Sequence, residues 1–298
     1  MKLSIWPNAQ QPWSEISDLT QHAERTGWHG VYFWDHFMGD GAGFGPAITP
    51  TLESSAVLAA LGALTERLRI GSLVFANTFR HPAVLANWAA TLDIVTNGRL
   101  VVGLGTGWQH NEHEQYGIEL PSAGERIEML EESCEVLRRL WQQSESNFSG
   151  KHYQLDHALC EPKPLQPHLP LLIGGKGDRM LGLVARQADE WNMWGLADAI
   201  SERSRVLDAK CDEIGRDPET ILRSTQALVM VSDDHRAAAE FVQRVSPRAA
   251  IAGSVERFAE EVQRWAAAGI TEVIVPDMAL GRGSQRLENL DALRAAVL

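Results

Sequence analysis

Residues 68–107 read LRIGSLVFANTFRHPAVLANWAATLDIVTNGRLVVGLGTG. Leu68–Ala76 reads as a strand, Pro82–Val95 as a helix and Leu100–Leu104 as the next strand. The last strand runs into Gly103-Leu104-Gly105-Thr106-Gly107. This turn superficially matches a dinucleotide-binding fingerprint, but the final spaced glycine is missing and Trp108 stands where a helix should open. The Rossmann reading is therefore rejected. Two glycines at a strand end let a flat ring approach the backbone, and a tight barrel turn is the plainer alternative.

The same alternation extends in both directions. Upstream, Leu3–Trp6 is a first strand, and a helix spans about Ser14–Thr26, with Ser14 as its expected N-cap and Gly27 as its stop. Gly30–Trp34 is a second strand ending in Asp35-His36-Phe37. A glycine-rich loop, Gly39–Pro46, then leads to a helix over Leu52–Thr65. Downstream, Arg126–Trp141 is a strongly amphipathic helix. The stretch Phe148–Pro170, rich in Pro and His, is too long for a simple barrel turn and is expected to be an insertion over the barrel mouth. Strands follow near Leu171–Ile173, Glu190–Met193, Ser224–Val231 and Glu272–Val275. Helices lie near Arg179–Arg186, Ala197–Ile214, Arg236–Val245, Val255–Ala267 and Leu287–Val297. Eight strands with intervening helices and no long linker predict one (β/α)₈ TIM barrel over residues 1–298, with the doubly wound open sheet as its competitor.

Composition narrows the partners. The chain has 298 residues, 44% hydrophobic and 22% charged, ordinary for a soluble globular protein with a large core. Its net charge of −12 argues against nucleic acid or an anionic membrane surface as main partner, while leaving room for a local phosphate site. Cys134, Cys160 and Cys211 are scattered without metal-ligand spacing. No signal peptide is apparent at the N-terminus and no apolar run is long enough for a bilayer, so a reduced, cytoplasmic protein is expected. Ten tryptophans suit core packing, and also a planar ring ligand.

Barrel chemistry sits at the carboxyl ends of strands. There, Asp35-His36 offers a group that exchanges protons near neutral pH beside one that binds or orients polar ligand atoms. The plainer reading is a polar pair capping the next loop. Gly174-Gly175-Lys176-Gly177-Asp178-Arg179 lies between a strand and a helix. Its N–H groups, the helix N-terminus, Lys176 and Arg179 suit a phosphate, although a flexible surface turn would look similar. His110, Asn111, Glu112, His113 and Glu114 form a polar cluster without the HExxH arrangement or a clear third ligand, so no metal is expected. His152, His157 and His168 read as loop surface. Neither a G-x-S-x-G elbow nor a catalytic Cys signature occurs.

Taken together, these residues resemble the luciferase-like monooxygenase superfamily, especially its coenzyme F420-dependent branch. The resemblance runs nearly end to end. It rests on Trp34-Asp35-His36-Phe37, Arg69-Ile70-Gly71-Ser72, Thr78-Phe79-Arg80-His81-Pro82, and Asp93 to Gly98-Arg99-Leu100. Gly103–Trp108 with Asn111-Glu112, Phe148-Ser149-Gly150-Lys151-His152-Tyr153, Pro170–Gly175 and Ala188-Asp189 complete it. Each motif is weak alone, and their order and spacing make the set specific.

The resemblance implies a barrel with a flavin or deazaflavin across its strand ends. It implies that His36 lies near the reactive ring and that Asp35 holds the ring's polar edge, making these two the catalytic candidates. A bulge with a non-proline cis peptide, mapping onto Leu73-Val74, would back the ring. The remaining cofactor contacts map onto Ala76, Asn77, Gly105, Thr106, Gly107, Trp108, Asn111, Gly174, Gly175, Lys176, Gly177 and Arg179. One departure matters. The sugar-phosphate dehydrogenases of this branch carry a catalytic glutamate where this chain has Trp108, which cannot act as acid or base. That substrate class is not carried over, and Trp108 suggests an apolar, aromatic-stacking substrate wall. The expected activity is hydride transfer between F420 and a small organic substrate. The alternatives are an FMN-dependent monooxygenase and a non-catalytic flavin-binding barrel. The resemblance also implies a homodimer.

Overall fold

With one exception, the short apolar runs expected as barrel strands form them, buried on both faces of a parallel sheet. The expected strand Ser224–Val231 divides: Leu222–Gln226 joins the barrel, while Leu228–Val231 pairs with Ala250–Gly253 in a separate two-stranded sheet. The computed structural model describes residues 1–298. The chain begins β1 (Lys2–Trp6), α1 (Trp13–Thr26), β2 (Gly30–Phe33), α2 (Ser54–Leu64), β3 (Arg69–Ser72), β4 (Phe75–Ala76), α3 (Pro82–Val95) and β5 (Leu100–Gly105). It continues α4 (His110–Tyr116), α5 (Ala123–Gln142), β6 (Ser146–Ser149), β7 (Gln154–Ala158), β8 (Leu171–Gly174), α6 (Asp178–Gln187) and β9 (Glu190–Trp194). The final third is α7 (Ala197–Asp212), β10 (Leu222–Gln226), β11 (Leu228–Val231), α8 (His235–Val245), β12 (Ala250–Gly253), α9 (Val255–Ala267), β13 (Glu272–Pro276) and α10 (Gly283–Val297).

Parallel neighbours run β3–β2–β1–β13–β10–β9–β8–β5, and β5 pairs back onto β3. Eight strands thus close into a ring with no free edge, the (β/α)₈ TIM barrel. The expected third strand is interrupted rather than continuous. Gly71 pairs with Val101 and Phe75 with Leu104, so the segment through Leu73 and Val74 carries one more residue than the β5 segment opposite. The Leu73–Val74 peptide is cis, as the resemblance implies.

The amino-terminal end of the barrel interior is polar. Arg69 Nη1 donates to Glu190 Oε2 at 2.9 Å and lies 3.9 Å from Glu272. Glu272 also accepts from Ser4 and from the Tyr32 hydroxyl, the latter at 3.2 Å. Burial raises the Tyr32 hydroxyl well above its ordinary pKa, with the Glu272 carboxylate adding to the effect. Tryptophans Trp141, Trp191 and Trp265 serve the core, each placing its indole N–H on a backbone carbonyl. All three cysteines are free and buried. No helix is long and apolar enough to cross a membrane.

Three local expectations change. α1 starts at Trp13, and Pro12, not Ser14, is the N-cap. The Pro12 carbonyl already accepts from Glu15 and Ile16, which places Ser14 inside the first turn. Gly27 does end this helix, in the left-handed conformation. The insertion 148–170 takes in the end of β6 and all of β7, an antiparallel hairpin folded over α5. Glu132 of α5 accepts from the backbone N–H groups of Lys151, His152 and Tyr153. The end of the hairpin is tied to the segment after β4, where Asn77 donates to the Tyr153 hydroxyl at 3.3 Å, and no residue of 148–170 lines the cavity at the strand ends. The return leg descends the flank, with Gln166 bonded to Asp93 and Leu100, and His168 to Asp189. Finally, β12 and α4 are elements that the periodicity did not predict.

Candidate active site

A cavity of about 1270 Å³ opens at the carboxyl ends of the strands. One side is apolar floor and glycine. Leu73, Val74, Phe75 and Ala76 line it beside Gly105–Gly107 and Gly174–Gly177. Glycine is needed around the bulge because Val74 fills the space. A Cβ on Gly105 would meet Val74 Cγ2 at 2.6 Å, and one on Gly174 would meet both Val74 methyls at 3.2 and 3.3 Å. The Val74 side chain therefore stands between two strand ends as a platform. The opposite side is aromatic, with Trp6, Trp34, Phe44, Trp108 and Trp194 facing the space.

Asp35 ends the second barrel strand and is only 2% exposed. Its carboxylate accepts from Arg80 Nη1 at 2.6 Å, Arg80 Nη2 at 2.9 Å and Ala76 N at 2.9 Å. Arg80 also donates to Glu53, which caps α2, and lies 4.7 Å above the Phe75 ring. Burial pushes the Asp35 carboxyl above its ordinary value, against the pull of Arg80 and the Ala76 N–H. The resemblance implies that Asp35 holds the polar edge of a ring. This residue lines the cavity, but its oxygens are engaged in tying β4 to the strand beside it.

His36 is the group left facing the cavity. Its Nδ1 lies 2.9 Å from Glu112 Oε1, and Glu112 Oε2 accepts from Phe37 N at 2.9 Å. Glu112 is 1% exposed and sits in the first turn of α4, where the helix N-terminus favours a negative charge. A carboxylate accepts only, so His36 Nδ1 is the donor and Nε2 remains for the cavity. The imidazole is framed edge-on by Trp34 at 5.5 Å and Trp108 at 5.4 Å. Within the same polar cluster, His113 is a buried core group. Its Nδ1 donates to the Gln109 carbonyl and its Nε2 accepts from Thr78 at 2.8 Å. No group of three His, Cys, Asp or Glu side chains is arranged to hold a metal.

The loop Gly174–Gly177 lies at the cavity wall and leads into α6. Gly175 N donates to the Asn192 carbonyl at 3.0 Å. Leu181 N is the first in α6 to find a helical acceptor, the Gly177 carbonyl, so the N–H groups of Asp178, Arg179 and Met180 in the first turn have no helical partner. Lys176 also lines the wall. Arg179 does not. Its side chain is 62% exposed and lies 3.8 Å from Glu128 of α5. The cation nearer the loop is Arg203 of α7, bonded to Asp178, with its Nε buried and lacking a partner. Asn77 and Asn111 also fall outside the cavity lining. Asn77 bonds to Tyr153, and Asn111 Nδ2 donates to the Gly39 carbonyl at 2.8 Å, bracing the mouth loop. Sequence reasoning missed Arg203, Gln226 and Arg248 as lining residues, and Asn192 stood in a strand-end segment, Trp191–Trp194, that it singled out without assigning a role. Gln226 was traceable as a strand end. Arg203 and Arg248, on a helix and in a loop, carried no local signal.

Comparison with known proteins agrees with this geometry. A family model described as luciferase-like monooxygenase matches residues 1–296. The F420-dependent glucose-6-phosphate dehydrogenase of Microbacterium testaceum is 32% identical over 243 residues, 79% of this chain and 70% of that protein. The pyrimidine monooxygenase RutA of Allorhizobium ampelinum is 32% identical over 179 residues, 57% of this chain and 48% of its own. A solved F420-dependent secondary alcohol dehydrogenase, in complex with an F420-acetone adduct, superposes with a TM-score of 0.87. That superposition covers 100% of both chains at 21% identity, a likeness of fold.

Proposed function

The chain belongs to the luciferase-like monooxygenase family of oxidoreductases, and from that premise we propose that it transfers a hydride between coenzyme F420 and a small organic substrate. The observation that carries this reading is the platform of Leu73 and Val74, cleared by Gly105 and Gly174, with a glycine loop and free helix N–H groups at its end. These residues fit a planar ring with a phosphate attached. Lys176 and the first turn of α6 would hold the phosphate, and Val74 would back the ring. Deazaflavin, when bound, supplies a two-electron hydride rather than the oxygen chemistry of flavin.

The protein's own contribution is orientation and proton handling. Glu112 keeps the proton of neutral His36 on Nδ1, leaving Nε2 to accept a proton from a substrate hydroxyl, or as imidazolium to return one. Asp35 acts at one remove, since its bond to Ala76 N fixes the strand beside the platform. Aromatic walls exclude water around the imidazole. We read the chain as one barrel unit acting on a small molecule, as a homodimer in the cytoplasm.

Parallel titration with F420 and FMN at fixed salt and pH, followed by cofactor fluorescence, tests the assignment. F420 is expected to bind at least tenfold more tightly, about 1.4 kcal/mol. Gly177→Val adds an internal control, because a Cβ there meets nothing within 4 Å and φ is −70°. It should weaken cofactor binding without loss of stability. Tighter FMN binding with substrate-dependent oxygen uptake would move the protein to the monooxygenase reading, which the similarity to RutA supports. Binding of neither cofactor would favour a non-catalytic barrel.

A further inference from the structure

Arg248 lines the cavity mouth, and its guanidinium carbon lies 4.4 Å above the Phe44 ring. Of the cavity's cations, Arg203 is bonded to Asp178 and Lys176 belongs to the glycine loop. Arg80 beneath the wall is held by Asp35 and Glu53. Arg248 pairs with no carboxylate, although the chain carries a net charge of −12. A Cβ on Gly43 would meet the guanidinium, so Arg248 lies directly against the mouth loop.

The surroundings of this cation are aromatic. Phe44 packs edge-on against Trp34 at 4.5 Å and lies 5.8 Å from the His36 ring. Trp108 is 6.4 Å from Phe44 and 5.4 Å from His36, and it is 51% exposed within this concave wall. One cation therefore stands one ring away from the imidazole, across a surface of flat faces. We infer that the substrate is a planar conjugated molecule bearing one carboxylate, stacked along Trp108 and Phe44 with its carboxylate on Arg248.

The chemistry favours a carboxylate over a phosphate. A single guanidinium presents paired N–H donors matched to two carboxylate oxygens. The other cations lining the cavity are committed elsewhere, Lys176 to the glycine loop and Arg203 to Asp178, so one guanidinium matches one negative charge better than a dianion. A cation already resting on Phe44 is partly desolvated, so exchanging water for a carboxylate costs less there than at an open surface. This inference rests on the reading that the platform half of the cavity takes the cofactor, leaving the aromatic half for substrate.

The test uses 2-naphthoate, its neutral analogue 2-naphthylmethanol and 2-naphthyl phosphate as probes, titrated calorimetrically with and without saturating F420. Naphthoate is expected to bind at least tenfold more tightly than the alcohol, and more tightly than the phosphate. Arg248→Ala should abolish that preference and Arg248→Lys should retain part of it, while Lys176→Ala leaves it intact. F420 affinity should change less than twofold in Arg248→Ala. Equal binding of naphthoate and the alcohol would overturn the inference, as would loss of the preference in Lys176→Ala instead. Preference for the phosphate would reject the carboxylate. A large fall in F420 affinity in Arg248→Ala would reassign the cation to the cofactor. Failure of the wild type to bind F420 would instead count against the cofactor reading, and the probe series without F420 would still decide the role of Arg248.

Discussion

Replacing Glu112 by glutamine should reverse the tautomer of His36. The wild-type carboxylate accepts two hydrogen bonds, from His36 Nδ1 and Phe37 N, each at 2.9 Å, in a site almost closed to water. A glutamine can keep its carbonyl oxygen on Phe37 N–H, but then its amide N–H faces Nδ1. Two donors cannot share that contact, so neutral His36 moves its proton to Nε2 and Nδ1 becomes the acceptor. Both charge-assisted bonds become neutral ones, a loss of about 2 kcal/mol. For a chain of this size that corresponds to a fall in Tm of a few degrees. Nitrogen-15 shifts of histidine-labelled protein read the tautomer directly. The wild type should show the Nδ1–H form at His36 and Glu112→Gln the Nε2–H form. Turnover, once a substrate is in hand, should fall by about 10²–10⁴-fold because the cavity-facing nitrogen no longer accepts a proton. An identical His36 tautomer in both proteins would refute the reasoning, whatever the stability change.

Two further outcomes concern the barrel itself. Arg69→Met should destabilise the protein by about 3–5 kcal/mol, because Glu190 and Glu272 lose the cation between them. Urea unfolding measures this, Arg69→Met/Glu190→Gln should recover part of the loss, and a change below about 1 kcal/mol would show the cluster to be better hydrated than its burial implies. His29 has its pKa lowered from 6.5 to about 4 by burial, with Lys2 and Arg69 adding to the effect. A depressed histidine resists protonation in the folded state, so its share of stability is complete above pH 6.5 and is lost as pH falls towards 4. Because the ring is only partly buried, solvent screening leaves on the order of 1 kcal/mol at stake, and His29→Asn should flatten the decline in unfolding free energy between those limits. A wild-type profile that is level across this window would contradict it.

The alternation of strands and helices was legible in the chain because it depends on neighbours along the sequence. Runs such as Leu100–Leu104 are buried on both faces, and their apolar character records that directly. Elements whose partners lie far away left no such record. Ala250-Ile251-Ala252-Gly253 is too short and too bland to announce a strand, and it forms β12 because β11 offers it a partner. His110–Tyr116 lacks an apolar stripe, and α4 buries Glu112 and His113 against polar groups from other strand ends.

The same division holds at the site. A histidine after a strand marked the cavity edge, and glycines at 105 and 174–177 marked where backbone and ligand meet. What each charged group does was decided by closure of the barrel. Arg80 reaches Asp35 from 45 residues away and takes both of its oxygens, while Glu112 reaches His36 from 76 residues away and leaves one nitrogen for the cavity. Arg179 turns to Glu128, and Arg203 replaces it beside the loop. Hydrophobic periodicity is a local property of the chain, set by whether a side chain faces the core. The role of an ionisable side chain depends on which opposite charge the fold brings within about 4 Å, and only the tertiary structure supplies that neighbour.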